Sequence, residues 1–314
     1  MKTKNVFAIG LLSFALLSCG GGKKQQNTEG VQLQGTIEID GSSTVYPITE
    51  AVAEEFKKIQ PNVRVSIGVS GTGGGFKKFG RNELDINNAS RPIKSKEIAI
   101  CDSNKVEYVD LTIAYDGLAV IANPQNTWLE TITVDELKKI WEPAAQGKIM
   151  RWNQIRSGWP DKEIHLFGPG VASGTFDYFT EAIVGESGSS RGDFTASEDD
   201  HVLVQGVASD VYGLGFFGLA YYEENMNKLK LIAVDNGKGG VKPTLETVAS
   251  NEYAPLSRPI FIYVNKQATK REEVKAFVEF YMKNAAALSK DVGYIPLPDS
   301  LYTKELEKFT NFVK

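Results

Sequence analysis

Three short Ser/Thr/Gly segments carry the residue types from which an oxyanion site can be built. Ser173-Gly174-Thr175 precedes Phe176, Phe179 and Ile183 at helical spacing. Gly41-Ser42-Ser43-Thr44 precedes Ile48, Val52, Phe56 and Ile59, and Ser70-Gly71-Thr72-Gly73-Gly74-Gly75 precedes Phe76-Lys77-Lys78-Phe79. Each segment therefore lies where a helix begins. A helix start presents unpaired backbone N–H groups and about half a positive charge, which suits an anion. Ser and Thr also cap their own helices at such positions. Three such turns in one chain point to one shared anion site.

Charged residues near strand ends add to this constellation. Arg91 ends the short extended piece Asp85-Ile86-Asn87-Asn88-Ala89 and precedes Pro92. An arginine there can clamp a tetrahedral anion with two parallel N–H bonds. Asp116, in Ala114-Tyr115-Asp116-Gly117, enters an apolar run, an unusual place for a carboxylate without a partner. It could pair with Arg91, accept a proton-bearing oxygen from a ligand, or do both. Arg191 and Glu198-Asp199-Asp200 lie in polar sequence and read as solvated.

Other chemistries find little support. His165 and His201 are the only histidines and have no metal-ligand spacing, so neither a metal site nor a His-based triad is expected. Gly213-Leu214-Gly215-Phe216-Phe217-Gly218 matches a dinucleotide fingerprint by letter, but Leu219-Ala220-Tyr221-Tyr222 reads as strand or turn, not as the helix that fingerprint requires. Neither a nucleophile elbow nor a P-loop occurs. The acidic balance and the lack of a basic stripe with interleaved aromatics argue against nucleic acid.

Strand-like and helix-like patterns alternate, which predicts an α/β architecture with mixed sheets. Thr36-Ile37-Glu38-Ile39 runs into the first turn, Val63-Arg64-Val65-Ser66-Ile67 into the second, and Ile164-His165-Leu166-Phe167 into the third. Thr133-Val134-Asp135-Glu136 is a capping box ahead of Leu137, Ile140 and Trp141. Residues 118–122 and 258–264 read as buried strands, and Val274, Phe277, Val278 and Tyr281 mark one face of a long helix. The two buried strands could be crossings between two lobes.

The N-terminus reads as an export signal. Lys2 and Lys4 precede an apolar run over residues 6–17, too short to span a bilayer, and Leu16-Leu17-Ser18-Cys19 fits a lipobox. Cleavage before Cys19, the residue to be lipid-modified, takes the net charge from −4 to −6. Residues 19–35 form a polar tether. With Cys19 committed to lipid, Cys101 has no disulfide partner and reads as a small buried apolar residue.

With these residues in hand, the chain resembles the phosphate-binding lipoproteins of bacterial phosphate ABC transporters, from about Thr36 onward. The resemblance rests on Asp40-Gly41-Ser42-Ser43-Thr44, Ser70-Gly71-Thr72-Gly73-Gly74-Gly75-Phe76, Ala89-Ser90-Arg91-Pro92, Ala114-Tyr115-Asp116-Gly117 and Ser173-Gly174-Thr175. It implies a two-lobed α/β periplasmic-binding-protein type II fold with two crossover hinge strands, near residues 113–123 and 257–265. Lobe I would comprise 36–116 plus 262–314, lobe II 117–261, after a signal peptide over 1–18 and the tether over 19–35.

The same resemblance implies a phosphate ligand held by Ser43, Thr44, Ser70, Thr72, Arg91, Asp116, Ser173, Gly174 and Thr175, with no cofactor, no metal and no catalytic residue. The partners would be inorganic phosphate and the membrane permease and ATPase subunits of the transporter, and the protein a monomer. It would be exported and anchored through lipid (palmitate) on Cys19, facing the periplasm or the exterior. The better-known branch of the family has an acidic residue where this chain has Arg91, and an arginine shortly before its S-G-T turn, where this chain has Pro169-Gly170.

Phosphate near neutral pH keeps at least one proton and sulfate keeps none. A site that reads that proton rejects the analogue lacking it by ~10⁴–10⁵-fold. The rival ligands are sulfate, molybdate and phosphonates, which Asp116 would help to discriminate. A rival of another class is an exported phosphatase or esterase with Ser173 as nucleophile, which lacks a histidine base or metal cluster. A purely structural surface lipoprotein is the third.

Overall fold

The computed structural model describes residues 32–314, Ala172 excepted. The expected signal segment, Cys19 and the tether as far as residue 31 lie outside the described residues. Strands β1 (Gly35–Gly41), β2 (Val63–Ile67) and β3 (Ile86–Ala89) alternate with helices α1 (Tyr46–Ile59), α2 (Gly71–Phe79) and α3 (Ser95–Ser103). The long strand β4 (Tyr108–Ala122) follows. Then come β5 (Thr131–Thr133), α4 (Val134–Trp141), β6 (His165–Pro169), α5 (Gly174–Phe179), β7 (Thr195–Ser197), α6 (Asp200–Ser209), β8 (Gly213–Gly218) and α7 (Leu219–Glu224). β9 (Lys230–Leu231), β10 (Ala233–Asp235), β11 (Gly240–Val241) and α8 (Leu245–Ala249) precede the long strand β12 (Ser257–Asn265), and α9 (Glu272–Asp291) and α10 (Asp299–Phe312) follow it.

Local sequence explains the main helices. Pro47 sits in the first turn of α1, where its missing N–H costs nothing, and Lys57 and Lys58 occupy the last turn. Ile48, Val52 and Phe56 recur every fourth residue and are buried. The Thr133 hydroxyl accepts the Glu136 N–H at 3.1 Å while the Glu136 carboxylate accepts the Thr133 N–H at 2.9 Å, the reciprocal cap expected at the start of α4. On α9, Val274, Phe277, Val278 and Tyr281 are buried, and Phe277 meets Phe56 of α1 edge to face at 5.3 Å.

Among the described residues nine strands join into one curled sheet, in the order β2-β1-β3-β12-β4-β8-β6-β7 with β9 beside β4, and β11-β10-β5 form a small second sheet. β1 pairs in parallel with β2 and β3, while β12 runs antiparallel to β3 and β4. β4 changes partner along its length: residues up to Gly117 pair with β12, and Leu118 to Ala122 with β8. Two large hydrophobic clusters follow from that change. One gathers Leu118, Val120, Trp141, Phe179 and Phe216, the other Ile37, Ile39, Phe56, Ile262 and Phe277, and Tyr115 of β4 packs partly against both. The fold is thus two-lobed α/β with mixed sheets, as the alternating patterns suggested, and the large sheet runs through both clusters. Cys101 is fully buried in a third cluster with Phe76 and Phe79.

Two local readings need correction. Leu219 to Tyr222 belongs to helix α7, not to a strand or turn. The helix has six residues, too few for its period to show in sequence. Gly213–Gly218 is itself strand β8, so its glycines do not form the strand-to-helix loop of a dinucleotide site. Arg191 is buried, 3% exposed, and not solvated. Its guanidinium pairs with Asp193 and donates to the carbonyls of Ile140 and Ile149 at 3.1 and 2.9 Å. It thereby satisfies a carbonyl left open at the end of α4.

Candidate anion-binding site

The three turns leave the C-terminal ends of β1, β2 and β6, strands with parallel neighbours, which is where open α/β sheets hold ligands. The first turn needs glycine at its start. Gly41 has φ +135°, and a Cβ there would stand 2.1 Å from the Asn88 carbonyl oxygen. The Ser42 hydroxyl accepts the Thr44 N–H at 3.2 Å, and Ser42 N–H donates to the Asn88 carbonyl at 3.0 Å, fixing the turn on β3.

Turn one and turn three meet directly. The Thr44 hydroxyl lies 3.5 Å from the Gly174 carbonyl, to which it donates, and the Ser43 hydroxyl donates to Asp177 of α5 at 3.1 Å. Their contact divides the surroundings into two chambers that share Ser43. The first, of about 260 Å³, is lined by Thr44, Thr72, Ser90, Arg91, Lys94 and Arg258, with Asp177, Tyr178 and Glu181 from α5 and its continuation. The second, of about 500 Å³, is lined by Asp116, Ser173, Gly174, Thr175, Glu198 and Asp200 with Tyr46, Tyr221 and Tyr294.

Their electrostatics differ in sign. Three cations against two carboxylates line the first chamber, and three carboxylates with no Lys or Arg line the second. An oxyanion is therefore favoured in the first. Burial, then the neighbouring charges of Asp199 and Glu198, push the Asp200 carboxyl up to about 6, which reinforces the acidity of the second.

The ion pairs depart from the sequence reading. Arg91 does not pair with Asp116. It grips Glu97 through both terminal nitrogens, at 2.7 and 2.9 Å, and lies over the Phe76 ring at 5.5 Å. Glu97, six residues on, is in the first turn of α3 and within reach, whereas Asp116 faces β12 across the sheet. Asp116 pairs with Arg258 of β12, its register partner, at 3.4 Å. Burial pushes the Asp116 carboxyl above the ordinary range, against the attraction of Arg258. Arg258 also donates to the Thr44 hydroxyl at 3.1 Å, stands 3.4 Å above the Tyr178 ring and lies 3.7 Å from Glu181. One guanidinium thus touches the first turn, β4 and α5.

The nine candidate residues are distributed accordingly. Thr44, Thr72 and Arg91 line the first chamber, Asp116, Ser173, Gly174 and Thr175 the second, and Ser43 both. Thr72 accepts the Ser90 N–H at 3.2 Å, and the Ser173 hydroxyl caps α5 by accepting the Thr175 N–H at 3.2 Å. Ser70 lines neither chamber; its N–H donates to the Asp40 carboxylate at 2.8 Å, which also pairs with Lys78. Sequence reasoning passed over Arg258 and Asp177. Arg258 carried the same signal as Asp116, a charge at the mouth of an apolar strand. Among the described residues no cluster of metal-ligating side chains occurs, and no helix is long and apolar enough to cross a membrane.

Residues 26–285 match the model of the PBP superfamily domain. The protein SphX of Synechocystis is 54% identical over 86% of this chain and 81% of its own length. The phosphate-binding protein PstS of Staphylococcus saprophyticus is 36% identical over 100% of this chain and 96% of its own. A crystal structure described as a possible phosphate binding protein from Planctomyces limnophilus is 47% identical, superposes with a TM-score of 0.87, and is matched over 90% of this chain and 100% of that one.

Proposed function

Because the chain belongs to the PBP superfamily and, within it, to the family of the PstS phosphate-binding proteins, we propose that it captures inorganic phosphate between its lobes and delivers it to the permease and ATPase subunits of an ABC transporter. The observation that carries the ligand is the first chamber, where Arg91, Lys94 and Arg258 converge with the hydroxyls of Thr44, Thr72 and Ser90. Charge-assisted hydrogen bonds contribute about 1.5–3 kcal/mol each. Three or four of them amount to about 4.5–12 kcal/mol, a range that brackets the roughly −8 kcal/mol of a micromolar complex. Ser43 meets the ligand from the first turn beside Thr44, Ser173, Gly174 and Thr175 bring the opposing turn against it, Asp116 holds Arg258 in position, and Ser70 acts through the α2 turn that carries Thr72.

In this reading lobe I comprises 36–116 plus 262–314 and lobe II 117–261. The partner change within β4 and the pairing of β4 with β12 support a hinge there. The closed monomer is the form presented to the permease, and it carries out no chemistry on its ligand. Calorimetric titration of the mature chain should show saturable phosphate binding at micromolar affinity or tighter, with sulfate and molybdate far weaker. Equal binding of all three, or none, rejects the reading. A chromogenic phosphate ester should remain unhydrolysed.

Anchoring rests on Leu16-Leu17-Ser18-Cys19. Cys19→Ser should abolish lipid labelling and move the exported protein into the soluble fraction, since stable anchoring needs more than one acyl chain. A variant that stays labelled and membrane-bound removes the lipobox reading.

A further inference from the structure

The Ser43–Asp177 pair has a fixed polarity. A serine hydroxyl has one proton to donate, and an ionised carboxylate can only accept. The Ser43 hydroxyl donates to Asp177 Oδ2 at 3.1 Å, and both side chains line the basic chamber. Among the described residues Asp177 makes no ion pair, so it remains a full acceptor beside the cations of that chamber. Toward a ligand, the Ser43 oxygen is then left with lone pairs only.

Resting on the phosphate reading above, we propose that Ser43 and Asp177 together select the protonated oxyanion. A P–O–H group donates to the Ser43 oxygen, whose own proton is held by Asp177. An anion without a proton meets those lone pairs with its own. Asp116 is less suited to this role, because Arg258 already occupies it and it lines the other chamber. The neighbouring hydroxyls do not duplicate it. The Thr44 hydroxyl donates to the Gly174 carbonyl and accepts from Arg258, which engages it on both sides, and Thr72 and Ser90 hydrogen-bond to each other. Glu181 lies nearer to solvent, with a side chain 55% exposed and 3.7 Å from Arg258.

The test is competition binding of phosphate, arsenate and sulfate to the mature chain and to its Asp177→Asn and Ser43→Ala variants, with melting curves to confirm folding. Asp177→Asn removes the charge that fixes the Ser43 proton and can turn its amide N–H to the Ser43 oxygen, so the Ser43 hydroxyl is free to donate to the ligand. Sulfate should then bind tighter, and the phosphate-to-sulfate preference should fall by about tenfold or more. Ser43→Ala removes the obligate acceptor and should narrow the preference in the same direction. Arsenate, which keeps a proton, should follow phosphate throughout. A preference unchanged in both variants overturns the proposal while leaving phosphate capture intact, whereas wild-type protein that does not bind phosphate overturns the parent reading. A loss of preference in Asp177→Asn alone overturns the part assigned to Ser43. Should Asp177→Asn fail to fold, the Ser43→Ala ratio decides.

Discussion

Gly174→Ala is expected to weaken phosphate binding about 10- to 100-fold while moving the melting temperature of the ligand-free protein by no more than a few degrees. A Cβ on Gly174 would stand 2.9 Å from the Thr44 Cα and 3.0 Å from its nitrogen. Both are backbone atoms of a turn fixed on β3 through Ser42, so neither yields cheaply. Overpacking of this kind costs about 1–3 kcal/mol, and every 1.4 kcal/mol is tenfold in affinity. The cost falls on the state in which the two turns meet. A protein free to hold them apart escapes it, which is why affinity and not folding should suffer. Titration of the variant beside its melting curve separates the two. Wild-type affinity would mean that phosphate is held without the approach of turn three to turn one.

Arg258→Leu should have the largest combined effect, on binding and on stability. It removes a cation from the basic chamber and should cost about 10- to 100-fold in phosphate affinity. It also leaves Asp116 buried, 4% exposed, without its partner. Breaking a buried pair from one side costs about 3–5 kcal/mol. The pH dependence fixes the cause. Burial already raises the Asp116 carboxyl above its ordinary range, and Arg258 is the group that opposes the rise. Without it the rise is larger. An acid with a raised folded-state pKa contributes stability below the ordinary carboxylate range and loses it as pH climbs through the raised value. The variant should therefore be close to wild type near pH 4 and fall progressively below it toward pH 8. Adding Asp116→Asn should restore stability at pH 8 but not phosphate affinity. Denaturation at several pH values checks this. A pH-independent loss would assign the damage to the Tyr178 stacking instead.

Much of the local structure was legible in the chain because it is decided by neighbours in sequence. The Thr133–Glu136 cap, the apolar face of α9 and the strand β2 each depend on a few adjacent residues. So do the three Ser/Thr/Gly turns, from which most of the candidate site residues come. Where a short element gives too few residues for a period, as in α7, the pattern was silent.

What the sequence by itself determined is the set of turns, the types of charge beside them and the alternation of strands and helices. Which charges meet was decided by the tertiary structure. Arg91 and Asp116 are 25 positions apart, yet Arg91 closes on Glu97 and Asp116 on Arg258, which lies 142 positions away in sequence. The antiparallel register of β12 on β4 sets that pairing, since it places Arg258 opposite Asp116. The Ser43–Asp177 bond spans 134 positions and arises because turns one and three leave different lobes and meet. Coulomb and hydrogen-bond energies depend on distances in space, and a chain that crosses between lobes makes those distances unrelated to separation along it.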